Sequence, residues 1–201
     1  MLAFTGGFSI MSIEMLGGRI MAPYFGSSIY VWGSIITIFM VALSIGYLVG
    51  GHLSLIRPSL KKFGSLFLFC SVAVVPMVWV DDPVMEWVFM NVEDIRYGSL
   101  LAATGLFFLP TVAMGIISPY AVRLLIQNTH TSGSVAGKLY FVSTAGSAGG
   151  VLMTSFYFVL WFELDTIIFL LSGALAVCGI IALLAASRFR VATSEELHAG
   201  A

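Results

Sequence analysis

The residues best placed to do chemistry are Glu14 and Arg19, in the stretch Ser9-Ile-Met-Ser-Ile-Glu-Met-Leu-Gly-Gly-Arg-Ile-Met-Ala-Pro-Tyr-Phe-Gly26. They put a carboxylate and a guanidinium into an otherwise apolar segment. Ionisable groups in such a segment are costly unless they face protein or a wet cavity, so each is a functional-site candidate. Two chemistries suit Glu14: a buried lock with a cation or hydroxyl, or a carboxylate that binds a substrate or a proton. Five residues along an α-helix turn through roughly 140°, whereas side chains pair best three or four apart. The two are therefore not expected to pair along an unbroken helix. Glu14 is expected to bond another helix or a backbone deformed at Gly17-Gly18. Arg19, near the segment's end, is expected to reach the interface with its long side chain.

Hydroxyls and small residues recur at helical spacing around this pair. One stripe is Thr5, Ser9, Ser12, Leu16 and Arg19; another is Tyr140, Ser143, Ser147, Gly150 and Thr154. Thr104, Thr111, Gly115 and Ser118 form a third, and Ser34, Thr37 and Ser44 a fourth. Such stripes serve either as interhelical hydrogen bonds, worth about 0.6 kcal/mol each, or as the wall of a hydrophilic cavity. On the second reading Glu14, Arg19, Ser9, Ser12, Tyr140, Ser143 and Ser147 are the candidate binding residues. His52, His130 and His198 are scattered without metal or triad spacing. Cys70 and Cys178 lie in apolar runs and imply no disulfide framework. No metal, cofactor or catalytic residue is expected, and the chain alone is not expected to be an enzyme.

The elements that hold these residues follow from composition. Of the 201 residues 59% are apolar and 9% charged, with a mean hydropathy of +1.03 and a net charge of −1. A soluble domain carries about 25% charged residues, so the chain reads as an all-α polytopic membrane protein. Six spans are expected, at about 2–22, 30–51, 64–80, 98–118, 136–161 and 164–187, with a tail at 191–201. The first is expected to be a span rather than a cleaved leader, because no basic region precedes it. Arg57, Lys61, Lys62, Arg123, Lys138, Arg188 and Arg190 all fall on one side if the spans alternate. The other side keeps Arg96 among Asp81, Asp82, Glu86, Glu93 and Asp94. The positive-inside rule then puts both termini in the cytoplasm, with the bilayer as the first partner and no nucleic acid.

Between the third and fourth spans Met85, Val88, Val92 and Ile95 recur at 3, 4, 3 spacing, which predicts an amphipathic helix lying at the outer interface. Asp82, Glu86 and Glu93 on its other face form a candidate acidic collar. Pro76 and Pro110 are expected to kink their spans, and Pro23 and Pro119 to end theirs. Gly46-x-x-x-Gly50 and Gly146-x-x-x-Gly150 permit close helix approach, within the chain or in a homodimer.

Glu14…Arg19-Ile-Met-Ala-Pro-Tyr-Phe-Gly-Ser-Ser-Ile-Tyr-Val-Trp32, Gly46-Tyr-Leu-Val-Gly-Gly51, Ser118-Pro-Tyr-Ala-Val-Arg123 and Ala136-Gly-Lys-Leu-Tyr-Phe-Val-Ser-Thr-Ala-Gly-Ser-Ala-Gly-Gly150 occur in collinear order. Together they resemble the membrane region of bacterial spermidine synthase-like membrane proteins, often described as fused major-facilitator/spermidine synthase proteins. The resemblance implies a location in the cytoplasmic (inner) membrane and a half-major-facilitator-like bundle. It also implies a soluble aminopropyltransferase- or methyltransferase-like unit, for which this chain has no Gly-rich fingerprint. The implied function is a non-catalytic membrane subunit that anchors such a partner, with Arg57, Lys61, Lys62, Arg123 and Lys138 as the docking surface. Two departures stand out: Leu55 replaces an acid after Gly50-Gly51, and Phe162-Glu-Leu-Asp165 replaces a Pro/Gly turn. The alternative is a dimeric transporter of a cationic, polyamine-like solute.

Overall fold

Helices run almost end to end, because apolar residues dominate and strong breakers are few. The computed structural model describes residues 1–56, 58–126 and 132–199, with side chains to residue 187. Arg57, residues 127–131 (His130 among them) and the side chains of Arg188, Arg190 and His198 lie outside the described residues.

Helix α1 (Leu2–Phe25) continues through Pro23, the residue expected to stop it, and ends at Gly26. Gly26 has φ 73°, a left-handed conformation that glycine adopts without strain. Helix α2 (Ile29–Leu55) follows. Helix α3 (Leu60–Val74) is capped by Ser59, whose hydroxyl accepts from the Lys62 N–H at 3.3 Å. Helix α4 (Met77–Asn91) follows a bend of 44° at Val75-Pro76. Pro76 lacks the N–H and clashes with the preceding turn, so this proline does bend the chain. Helix α5 (Ile95–Gly115) runs uninterrupted through Pro110, and the break comes at Ile116, before α6 (Ile117–Leu125). Pro119 therefore sits in the first turn of α6, where a missing N–H costs nothing, instead of closing a span. Helix α7 (Ser132–Met153) passes into one π-helical turn, Thr154–Phe158, then α8 (Val159–Trp161) and α9 (Leu164–Ala199).

Among the described residues three helical runs are long and apolar enough to cross a membrane: Ile29–Leu55, Ile95–Leu125 (α5 with α6) and Leu164–Ser187. The bent pair α3–α4 makes a fourth if it counts as one span. The expected six are thus not supported by length and composition. Helices α1 and α7 are long enough but too polar, since α1 carries Glu14 and Arg19 and α7 is rich in Gly, Ser and Thr. The separate interfacial helix is corrected as well. Helix α4 begins at Met77 and ends at Asn91; it buries Met85 and Val88, but Val92 caps it and Ile95 opens α5. Large apolar side chains such as Met40, Leu48, Val72, Leu160 and Leu184 stand exposed on the outer surface. Soluble monomers rarely leave so much apolar surface uncovered, whereas lipid-facing helices require it.

Three helix pairs build the bundle: α1 with α7, α2 with α5, and α3 with α9. Each is fastened by glycine and hydroxyl contacts. Gly7 abuts the Ser143 carbonyl and Ser147, Gly146 abuts Phe4, and Gly150 abuts Phe8 and Ser12. The order of these contacts makes α1 and α7 parallel. A Cβ on Gly46 would lie 2.8 Å from the Gly115 Cα, and one on Gly50 2.8 Å from the Ile116 Cα. Nearer the other end of that pair the Ser34 and Ser99 hydroxyls share a 3.0 Å hydrogen bond, so α2 and α5 are also parallel. Gly64 and Gly179 face each other, and Ser71 bonds Ser172 at 2.9 Å, so α3 and α9 are antiparallel. Between the pairs lies a closed core of Ile13, Leu16, Phe39, Phe67, Phe107 and Ile167.

Both G-x-x-x-G faces proposed for a homodimer are therefore filled from within the chain. Gly146→Leu and Gly46→Leu should each destabilise the bundle by at least about 1–3 kcal/mol through overpacking. Gly51→Ala, which meets nothing within 4 Å, should leave thermal unfolding in detergent unchanged. A double-mutant cycle on Ser71→Ala and Ser172→Ala should return a coupling near 0.6 kcal/mol.

Candidate functional site

The polar groups collect at the two ends of the bundle. At the acidic end Arg19 of α1, the first turns of α4 and the α8–α9 connection surround a cavity of about 570 Å³. Arg19, Asp81, Asp82, Glu163 and Asp165 line it, together with Trp161 and Phe162. The Arg19 Nη1 donates to the Val159 carbonyl at 2.8 Å. That carbonyl lies in the last helical turn before Phe162, where backbone acceptors lose their intrahelical partners and a cation is favoured. Arg19 thus holds α1 against the end of the α7–α8 run. The Tyr24 hydroxyl donates to Asp82 Oδ1 at 3.0 Å, tying α1 to α4. This bond, chiefly, holds the Tyr24 phenol above its ordinary range. The Asp82 N–H donates to Asp81 Oδ1 at 2.9 Å. Among the described residues no group of His, Cys, Asp or Glu is gathered tightly enough to hold a metal ion.

The expected collar is only partly assembled. Asp82 lines the cavity, and Glu86, one turn on, is close enough to act electrostatically on Tyr24. Glu93 is exposed on the link between α4 and α5. The acidic wall is completed by Glu163 and Asp165, which the sequence reading did not single out. Their signal was available: on alternating spans they fall on the same side as Asp81 and Asp82.

Glu14 is half-buried on α1 and makes no hydrogen bond or ion pair among the described residues. The expected bond to another helix is absent, and so is the expected deformation at Gly17-Gly18. Helix α1 is continuous there, and those glycines make room for side chains: a Cβ on Gly17 would lie 3.1 Å from the Phe107 ring, and one on Gly18 2.7 Å from that of Trp32. Glu14 and Arg19 do not pair, as their spacing predicts.

The other candidate binding residues are dispersed. Ser12 donates to the Gly150 carbonyl at 3.4 Å, and Ser143 and Ser147 lie in the same α1–α7 contact. Tyr140 is exposed on α7, within electrostatic range of Tyr47 on α2. Ser9 is fully buried with its hydroxyl unpartnered, as are Thr111 and Thr154. The stripes are mostly closed helix contacts, and the seven candidates do not line one pocket.

At the opposite, basic end the structure gathers Lys61, Lys62, Arg123 and Lys138, while Arg57 lies outside the described residues. Lys62 Nζ donates to the Ile56 carbonyl at 2.7 Å, closing the end of α2. The Tyr120 hydroxyl accepts from the Ser59 N–H at 3.1 Å, and its ring stacks on Phe63, which seats α6 against the start of α3. Two largely apolar cavities flank α6. One, of about 320 Å³, is lined by Leu53, Ile56, Lys62, Leu66, Phe69 and Tyr120. The other, of about 510 Å³, lies between α1, α3, α6 and α7.

No protein-family model matches the chain, and no characterised protein or solved structure is detectably similar to it.

Asp94 caps α5 and forms the single ion pair among the described residues, with Arg96 at 2.8 Å. The Arg96 hydrogen bonds hold its carboxyl below the usual carboxylate range. A lowered folded-state pKa stabilises above the unfolded value, and that stability is lost as pH falls through the folded one. Arg96→Gln should move the Asp94 titration, read by carboxyl-carbon NMR, up toward the ordinary carboxylate range.

Proposed function

We propose that the chain is a non-catalytic membrane anchor whose basic end docks a soluble, spermidine synthase-like or methyltransferase-fold partner at the cytoplasmic surface of a bacterial inner membrane. The observation that carries this reading is the apolar cavity of Leu53, Ile56 and Phe69 beside the short helix α6, with Lys62 on its wall and Arg123 in the last turn of α6. Charges with apolar pockets between them suit a protein surface: the charges steer and orient a partner, and the pockets take its apolar anchors. The resemblance of the chain to proteins in which such a bundle precedes a soluble enzyme supplies the class of partner.

In this reading α1 and α7 also cross the bilayer, giving six spans. Each turns its small and hydroxyl-bearing face to the other, which is how polar helices are tolerated in lipid. The helix directions agree with alternation, since the first and fifth spans and the second and fourth are parallel, and the third and sixth antiparallel. Cysteines introduced at Ser27 and Gly133 should then label from opposite sides of sealed vesicles. Lys61→Glu combined with Arg123→Glu should lower partner co-purification from native membranes at least about tenfold, because like charges across an interface cost several kcal/mol. Equal recovery of a methyltransferase-fold partner with the variant, or none with the wild type, refutes the anchor.

A second reading, a dimeric carrier of a polyamine-like cation, is favoured by Glu14 lacking a partner and by the four carboxylates around the acidic-end cavity. With both glycine faces occupied, a second copy would sit on the exposed flank of α2 and α7 that bears Tyr47 and Tyr140. Spermidine uptake into proteoliposomes that is abolished by Glu14→Gln supports this reading, and uptake indifferent to that change removes Glu14 from it.

A further inference from the structure

The cavity of about 510 Å³ at the basic end has no counterpart in the anchor or carrier readings. Leu2 of α1, Phe63 of α3, Leu124 of α6, and Leu139 and Val142 of α7 stand on its wall. It exists because α7 touches the bundle along only part of its length. Its buried residues are Gly146 and Gly150, in the half pressed against α1. In the other half, from Ser132 to Val142, no residue is buried. There α7 meets α6 only loosely, with Leu139 half-buried against the core, and the cavity lies between α1, α3, α6 and α7. Lys138 carries the one charged side chain on the wall, which Met1 also lines; Lys138 is exposed and makes no hydrogen bond or ion pair among the described residues.

We propose that this cavity holds an acyl chain of an anionic phospholipid whose phosphate is bound by Lys138. The volume lies within the range of ligand pockets, about 300–1,000 Å³. Apart from Lys138 the wall is apolar, so water is not its natural filling. Hydrocarbon is, and in a bilayer the nearest hydrocarbon is the lipid tail. The end of the bundle selects the headgroup: Lys61, Lys62 and Arg123 share it with Lys138, and basic pockets between helices on the cytoplasmic side favour anionic lipid. A tail in the gap also adds apolar contact between the loosely packed half of α7 and α3 and α6.

The test is native mass spectrometry of the full chain released from detergent with phosphatidylglycerol or phosphatidylcholine of identical tails. One phosphatidylglycerol should be retained about fivefold more strongly than phosphatidylcholine, as one lysine near the membrane surface implies. Lys138→Gln should remove that preference without lowering phosphatidylcholine retention, and Lys138→Arg should restore it. Val142→Phe, which narrows the cavity, should lower retention of both lipids while helix content by circular dichroism stays unchanged. Glycerol 3-phosphate, the headgroup chemistry without tails, should not displace the lipid. Equal retention of the two lipids by the wild type, a preference that survives Lys138→Gln, or displacement by glycerol 3-phosphate each overturns the proposal. Because no soluble partner is present, failure here is distinct from failure of the anchor reading.

Discussion

Everything in this bundle depends on how closely helix backbones approach one another at small residues. Gly146 against Phe4, Gly46 against Gly115, and Gly64 against Gly179 leave no space for a Cβ. Among helices in lipid, burial of apolar surface supplies little drive, because the tails are as apolar as leucine. Dispersion contacts at short range and a few buried hydroxyl pairs must do that work. The three glycine-fastened pairs therefore set the positions of all the longer side chains. Phe107 reaches the core over Gly17, and Phe39 packs on Phe107 with ring centroids 5.7 Å apart.

Close packing has a consequence for chemistry. A core filled by Ile13, Leu16, Phe67, Phe107 and Ile167 leaves no wide polar space between the pairs. Hydroxyls fasten helices at Ser12–Gly150, Ser34–Ser99 and Ser71–Ser172. Recognition is left to the ends, where helices stop, bend or diverge. At the acidic end the bend at Pro76 and the connection at Phe162 bring Asp81, Asp82, Glu163 and Asp165 around Arg19. At the basic end a cavity lies on each side of α6. The two ends differ in sign because sequence-distant charges were sorted onto them.

The all-helical architecture, the glycine motifs, the segregation of charge and the failure of Glu14 and Arg19 to pair were legible in the sequence. They follow from composition and from the fixed angular period of the helix, which are local properties. Proline positions were legible only in part. Pro76 bends the chain, whereas α1 carries Pro23 and α5 carries Pro110 without interruption, because neighbouring helices decide whether a lost hydrogen bond breaks a helix. The separate interfacial helix was misplaced by four residues at its start, since Met77 is as apolar as the span it was assigned to.

What the sequence determined by itself is which residues are costly in an apolar surrounding and on which face of a helix each one lies. Only the tertiary structure decided what those faces meet. A stripe such as Ser12, Ser143 and Ser147 has the same pattern whether it lines water or another helix, and the close approach of Gly7, Gly146 and Gly150 settles it as a helix contact. Glu14 is the converse case. Its type and place marked it as needing a partner, yet whether a neighbour supplies one depends on the register of α1 against α2 and α7, which no local rule contains. The structure leaves its carboxyl half-buried and unmatched.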